Sequence, residues 1–174
     1  ILANPAAAEK SFAVASIENG FTFQKYFYNI TKNENKTSFF LKWSKDDNNK
    51  EPKLEVNKEF EFEFVGLGKE EDYNGKDVNG KVVLIERGDI PFAEKVKIAK
   101  EKGAKAVFIY NHKQGGDEFV GMKDTGNQGI PVACLYYSAG MKLKENGGKI
   151  VFKEGWKEFI IHLKDKFLNF QVLV

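Results

Sequence analysis

Cysteine and histidine, the side chains that most often serve as a thiol nucleophile, a general base near neutral pH or a soft metal ligand, are scarce in this sequence. The chain has one cysteine and two histidines, namely Cys134, His112 and His162. Cys134 lies in the apolar run 130–137, where a cysteine is usually a small buried hydrophobic residue rather than a reactive thiol. Neither histidine falls in a recognisable motif with a nucleophile and an orienting group. We therefore expect no catalytic residue, no disulfide and no cofactor.

The loop around His112 holds a dense group of polar side chains. Within its sequence HKQGGDEFVG, Gly115–Phe119 spells the signature of diguanylate cyclases, which act on GTP. In those enzymes the signature joins two apolar strands, whereas here a polar, glycine-rich run follows it, so we reject a cyclase. His112, Asp117, Glu118 and Asp124 could together bind a hard cation, but a solvated acidic loop is the favoured interpretation, and we expect no metal site.

Composition narrows the class of protein. The chain has 174 residues, of which 42% are apolar and 14% aromatic, and this predicts one folded domain of ordinary size. With 27 basic and 25 acidic residues the net charge is only +2, which argues against a nucleic-acid partner. No window approaches the roughly 18 apolar residues of a membrane-spanning helix. Residues 1–12 also lack the basic and apolar regions of a signal peptide.

The first half of the sequence is rich in aromatic residues with the spacing of strands. A weakly alternating segment ends at the turn pair Asn19-Gly20. Aromatic runs follow at 21–30, 38–43 and 59–65, separated by polar stretches. In the last run Phe60, Phe62 and Phe64 alternate with glutamates, which predicts one buried and one wet face. We expect antiparallel β structure in this half.

From residue 72 onward the pattern changes to alternating strands and helices. Val82–Glu86 is typical of a buried strand, Pro91 suits a helix start, and Gly103 suits a left-handed cap that ends the helix. The apolar run 104–111 then predicts a second strand. Strand, helix and strand over this length indicate a right-handed, parallel βαβ unit.

A shorter repeat of the same pattern follows. Ile130–Tyr137 predicts a third strand, Ser138 is placed to cap the N-terminus of a second helix, and Asn146–Gly148 is placed to stop it. The run KIVF predicts a fourth strand. Residues 155–174 place apolar side chains at helical spacing and form a tail with no assigned role.

The run Lys81–Asn111 closely resembles the core of protease-associated (PA) domains. That pattern comprises an apolar strand, Arg-Gly, a spacer, Phe, then Lys, Ala and Gly-Ala at helical spacing, and a strand ending in Tyr-Asn. These places are taken here by Arg87, Gly88, Phe92, Lys95, Ala99, Gly103, Ala104, Tyr110 and Asn111. Ile130-Pro131-Val132 is the second signature, whereas Ile90 stands where many members carry a cysteine. We expect structural roles for Arg87, Gly88, Phe92, Gly103, Asn111 and Pro131.

The PA resemblance covers about residues 70–153 and implies an α+β fold. Its body would be a β-rich barrel or sandwich with a βαβ unit and two or three flanking helices. Residues 4–20 are similar to a segment of subtilisin-like serine proteases, and cell-envelope members of the lactocepin type insert a PA domain just after it. The implied organisation is a catalytic-domain strand at 1–20, a β-rich lead-in at 21–70, the PA core at 71–154 and the tail at 155–174.

The resemblance also implies a function. The chain would be a non-catalytic module of a secreted or cell-wall subtilisin-like serine endopeptidase, because it carries no Asp, His or Ser motif of the triad. It would bind protein substrates or partners, contact the parent catalytic domain and control access to the active site. The residues expected to contact a partner are His112, Asp117, Glu118 and Phe119, on the loop 112–129. The alternative is a structural spacer or dimerisation domain.

Overall fold

The computed structural model describes residues 25–46, 49–122, 125 and 129–154, and in them seven strands close into a barrel. The strands are β1 (Lys25–Ile30), β2 (Lys36–Trp43), β3 (Glu59–Phe64), β4 (Val82–Glu86), β5 (Ala106–Tyr110), β6 (Val132–Leu135) and β7 (Lys149–Lys153). Two helices, α1 (Phe92–Glu101) and α2 (Tyr137–Asn146), flank the barrel. Short 3₁₀ turns lie at Glu70–Tyr73 and Lys113–Gly115. The α+β barrel prediction is confirmed.

The order around the barrel is β1-β2-β6-β5-β4-β3-β7. Strands β3, β4, β5 and β6 run parallel to one another, as the predicted βαβ unit requires. Strand β2 is antiparallel to β1 and β6, and β7 is antiparallel to β1 and β3. The antiparallel prediction for the first half therefore holds for β1 and β2 but is wrong for the pairing of β3 with β4. We call the side where β4, β5 and β6 finish the carboxyl end, and the opposite side the amino end.

Alternate side chains of each strand fill the barrel, as the two-residue period of strands dictates. The interior includes Phe27, Leu41, Trp43, Phe60, Leu84, Phe108 and Phe152. Phe108 contacts the rings of Phe27 and Trp43 at centroid distances of 5.3 and 5.9 Å. On β3, Phe60 is buried, whereas Phe62 and Phe64 are half-buried and pack against the same interior cluster.

A second apolar layer lies between the parallel strands and α1. Val83, Ile85, Val107 and Ile109 point outward and pack with residues of α1 such as Val96. The helix follows Pro91 directly, and Gly103 just beyond it has a φ of +85°, so both predicted helix boundaries are confirmed.

Helix α2 packs against the interior cluster at the carboxyl end, with Ala139, Gly140 and Leu143 buried. Gly140 allows a close approach, because a Cβ there would lie 2.0 Å from Tyr110 Cγ. The predicted cap at Ser138 is wrong: the helix begins at Tyr137, and Ser138 lies in its first turn.

Other predictions are tested only in part. The third strand, Val132–Leu135, is shorter than the apolar run that predicted it, and the fourth is present as β7. Cys134 is buried as expected, and burial raises the pKa of its thiol. The strand before Asn19-Gly20 and the tail 155–174 lie outside the described residues.

Candidate functional site

The loop that leaves β5 at the carboxyl end is held in place by the side chain of Asn111, which is only 2% exposed. Its Oδ1 accepts hydrogen bonds from the backbone N–H of His112 at 3.0 Å and from the Arg87 guanidinium at 3.2 Å. Its Nδ2 donates to the backbone oxygens of Gly116 and Glu118, at 3.3 and 3.2 Å. One buried amide therefore ties the loop to the β4–α1 turn.

The other signature residues also lie in tight backbone contacts. The Arg87 N–H donates to the Tyr110 oxygen at 2.8 Å, and the Pro131 oxygen accepts from the Val107 N–H at 2.9 Å. A Cβ at Gly88 would lie 2.8 Å from Leu67 Cδ2, so a larger residue would force that side chain to move.

The four predicted contact residues all lie on this loop but do not converge on one centre. His112 is half-buried, and its Nδ1 accepts from the Gly115 N–H at 2.9 Å. Asp117 is exposed and accepts from the Ser138 N–H at 2.8 Å, so it caps the first turn of α2. The Glu118 side chain is exposed.

Phe119, the fourth predicted contact residue, is half-buried and stacks on Tyr136. The ring centroids are 4.1 Å apart and the planes are inclined by 27°. Offset stacking of this kind fixes both rings while leaving part of their surface open. Phe119 therefore anchors the loop, and its accessible part lies beside Tyr136 at the carboxyl end.

Among the described residues, the structure does not bring together the carboxylates and the histidine of the cation site that the sequence allowed. In the part of the chain that the structure describes, no group of three His, Cys, Asp or Glu side chains is placed to hold a metal ion. Asp117 is engaged with α2, and Asp124 lies outside the described residues.

Two buried polar groups at the carboxyl end, Tyr110 and Lys95, entered the sequence analysis only as positions of the PA pattern, with no chemical role of their own. The Tyr110 hydroxyl donates to Glu86 Oε2 at 3.0 Å, and burial followed by this hydrogen bond raises the tyrosine pKa above its ordinary value. Lys95 is 0% exposed, and its ammonium donates to the backbone oxygens of Leu67 and, at 3.2 Å, Glu86. Burial lowers the Lys95 pKa to about 8. The sequence signal for the burial of Lys95 was its position on the inward face of α1, three residues after Phe92.

The described residues thus form a small α+β barrel whose carboxyl end is covered by α2 and by the Asn111-held loop. The family model of the PA domain matches residues 49–143. The chain belongs to the PA domain family.

Relatives with this module are larger proteins. The C5a peptidase of Streptococcus pyogenes serotype M18 is 31% identical over 156 residues, which are 87% of this chain but 12% of that protein. The minor extracellular protease Vpr of Bacillus subtilis is 31% identical over 116 residues, covering 67% of this chain and 14% of that protein. The chain therefore spans only a small part of the curated relatives that it matches.

Solved structures agree on the fold. A zinc aminopeptidase from Bacillus subtilis, BSAP, is similar with a TM-score of 0.56 and 24% identity, covering 75% of this chain and 30% of that one. An aminopeptidase from Aneurinibacillus sp. strain AM-1 is similar with a TM-score of 0.52 and 28% identity, covering 78% of this chain and 32% of that one.

Proposed function

We propose that the barrel is a non-catalytic module of a subtilisin-like serine endopeptidase, where it binds protein substrates or partners and controls their access to the active site. One observation carries the proposal: 87% of this chain aligns with 12% of a C5a peptidase, as expected for one module of a large peptidase. Residues 1–20, which are similar to a subtilase segment, then belong to the parent's catalytic domain, and the module follows them.

The path of the chain through the barrel supports insertion into a larger protein. The first and last strands, β1 and β7, are hydrogen-bonded neighbours, with Tyr26 opposite Lys153. The chain therefore enters and leaves at the amino end, where Lys53 also pairs with Glu154 at 2.8 Å. A module with adjacent ends fits into a host loop without separating the residues on either side. The carboxyl end is then the end remote from the connection to the host.

We assign partner contact to the loop at this remote end, through His112, Asp117, Glu118 and Phe119. Residues 112–118 of the loop are preorganised, because Asn111 binds them through both ends of its amide. A loop that is already ordered loses little conformational entropy when a partner binds. Phe119 supplies apolar surface, and the two carboxylates supply charge.

The same proposal places the module outside the cell, in a secreted or cell-wall protease. The relative from Bacillus subtilis is an extracellular protease by name, which supports this location. None of the described helices has the length and apolar character that crossing a bilayer requires.

The experiment compares the parent protease with a variant in which a short Gly-Ser linker replaces residues 25–154. We expect kcat/KM for a folded protein substrate to fall by about tenfold, because a contact worth roughly 1.4 kcal/mol in the transition state is lost. Cleavage of a short peptide that reaches only the catalytic cleft should change by less than about threefold.

A point variant provides the finer test. Phe119→Ala should weaken cleavage of the protein substrate alone, whereas Val56→Ala, which removes an apolar side chain 42% exposed elsewhere, should change neither substrate. Unchanged kcat/KM for both substrates after removal of the barrel would contradict the proposal. In that case a stable dimer of this chain in sedimentation would favour the dimerisation role.

A further inference from the structure

A second feature of the carboxyl end is an aromatic ring beside two lysines. Phe64, the last residue of β3, is half-buried, and its ring lies 6.4 Å from the buried ring of Tyr110. The Lys144 ammonium, from α2, lies 4.2 Å from the centroid of the Phe64 ring. The Lys76 ammonium lies 5.7 Å from the same centroid and donates a hydrogen bond to the Phe64 oxygen. We call these three residues the Phe64 patch.

The lysines of the Phe64 patch have no direct ion-pair partner in the part of the chain that the structure describes. Neither Lys76 nor Lys144 forms an ion pair with any described carboxylate. Both ammonium groups approach one ring, so they lie within about one Debye length, roughly 10 Å, of each other and repel. The dipole of α2 favours Lys144 in its last turn but does not account for Lys76.

A comparable contact between a lysine and a ring at the amino end includes a carboxylate partner for the lysine. There the Lys58 ammonium lies 5.4 Å from the centroid of the Phe60 ring, and the same ammonium forms an ion pair with Glu55 Oε1 at 3.5 Å. A lysine over an aromatic ring thus has a carboxylate partner at one end of the barrel. At the other end two lysines share a ring, and a bound carboxylate would remove the repulsion between them.

The helix that supplies Lys144 also carries an exposed apolar side chain. Met141 is 38% exposed and lies three residues before Lys144, on the same side of α2. Aromatic and methionine side chains with a charged rim are enriched at protein interfaces. The composition therefore fits a peptide that carries both acidic and apolar side chains.

We propose that the Phe64 patch is a docking subsite for an acidic segment of a protein partner. A carboxylate of that segment lies between the ammonium groups of Lys76 and Lys144, and an adjacent apolar side chain packs on the Phe64 ring and Met141. This inference rests on the proposed function, because it names the chemistry of the segment that the module recognises.

The test uses the full 174-residue chain and a short N-acetylated, C-amidated peptide in which two aspartates flank one phenylalanine. We expect the peptide to bind in calorimetry. Its counterpart with both aspartates changed to asparagine should bind about tenfold more weakly. Lys76→Gln and Lys144→Gln should each weaken binding about threefold, and the double variant about tenfold. Lys58→Gln is the matched control and should leave binding unchanged.

Equal affinity for the two peptides, absence of binding, or an equal loss in Lys58→Gln would each overturn the subsite. All three lysines have exposed side chains, and circular dichroism checks that each variant is folded. The outcome is separable from that of the proposed function. Binding lost in Lys76→Gln/Lys144→Gln, together with unchanged parent kinetics after barrel removal, would keep the subsite and reject the role in catalysis. Unchanged peptide binding in the double variant, together with altered parent kinetics after barrel removal, would reject the subsite alone.

Discussion

The two ends of the barrel use their charged residues differently. At the amino end, lysines pair with glutamates, in the pairs Lys25–Glu51, Lys53–Glu154, Lys58–Glu55 and Lys105–Glu55. At the carboxyl end, cations bind neutral groups instead: the Arg87 guanidinium donates to an amide oxygen, and the Lys95 ammonium donates to backbone oxygens. These lysines of the amino end are therefore paired with glutamates, whereas these two cations of the carboxyl end bind neutral oxygens.

The carboxylates of the carboxyl end are also bound to neutral donors. Asp72 accepts from two backbone N–H groups at 3.0 Å, Glu86 accepts from a tyrosine hydroxyl, and Asp117 accepts from the first turn of α2. The hydrogen bonds of these acids fix the backbone or side chains of neighbouring segments. Positioned loops on a rigid scaffold are where binding residues are commonly found. The difference between the ends thus favours the carboxyl end as the binding end, and substitutions at matched positions test it.

The largest effect is expected at Gly140, where α2 meets the barrel. Alanine would normally stabilise the interior of a helix relative to glycine. Here, however, the new Cβ would lie 2.0 Å from Tyr110 Cγ, and that ring is fully buried. We expect Gly140→Ala to lower the free energy of unfolding by about 3 kcal/mol, measured by denaturant titration.

Gly121→Ala is the control for this overpacking, because a Cβ at Gly121 would have no neighbour within 4 Å. Its free energy of unfolding should change by less than about 0.5 kcal/mol. Wild-type stability in Gly140→Ala would show that α2 does not press on Tyr110, and the carboxyl end would then be less tightly closed than the structure indicates.

The next effect in size concerns Asn111. In Asn111→Asp the side chain still accepts from Arg87 but no longer donates to the backbone oxygens of Gly116 and Glu118. Two carbonyls would then face a buried carboxylate. We expect a loss of about 2 kcal/mol in the free energy of unfolding, together with faster amide hydrogen exchange in the loop that follows.

Asn57→Asp is the matched change at the amino end. The Asn57 side chain only accepts there, from the Lys153 ammonium at 2.6 Å, and a carboxylate accepts equally well. Asparagine and aspartate both tolerate the positive φ of 63° at this position. This variant should be neutral or slightly stabilising. Equal losses in the two variants would remove the distinction between the ends.

Local features of the sequence predicted much of the fold. Helix α1 was predicted with its boundaries because Pro91 and Gly103 act on the backbone next to them, whatever the rest of the chain does. The start of α2 was misplaced because its first turn is capped by Asp117, which is distant along the chain. The parallel pairing of β3 with β4 was missed for the same reason, since strand order is a property of the whole barrel.

The candidate site was less predictable than the fold. The sequence indicated the loop after β5, but the hydrogen bonds that hold it converge on Asn111 from residues up to 24 positions away. The Phe64 patch joins β3, a loop and α2, and no spacing rule brings Phe64, Lys76 and Lys144 together. Lys95 has an ordinary helical position, and only burial among carbonyls distinguishes it from the exposed lysines of α1.

The smallest effect expected is a pH dependence with opposite signs at the two ends. Burial lowers the Lys95 pKa from 10.5 to about 8, so between these pH values the unfolded chain binds more protons than the folded one. The free energy of unfolding should therefore rise with pH across this window, by an amount on the order of 1 kcal/mol. Lys95→Met should abolish the rise, as measured by denaturant titrations at pH 8 and pH 10.

Lys53 at the amino end is the contrasting residue, because its hydrogen bond with Glu154 raises the lysine pKa above 10.5. Its contribution is present below the unfolded pKa and is lost only as the pH rises through the higher folded value. Lys53→Gln should therefore leave the rise between pH 8 and pH 10 intact. A rise that survives in Lys95→Met, or disappears in Lys53→Gln, would mean that the buried ammonium at the carboxyl end is not the group that titrates.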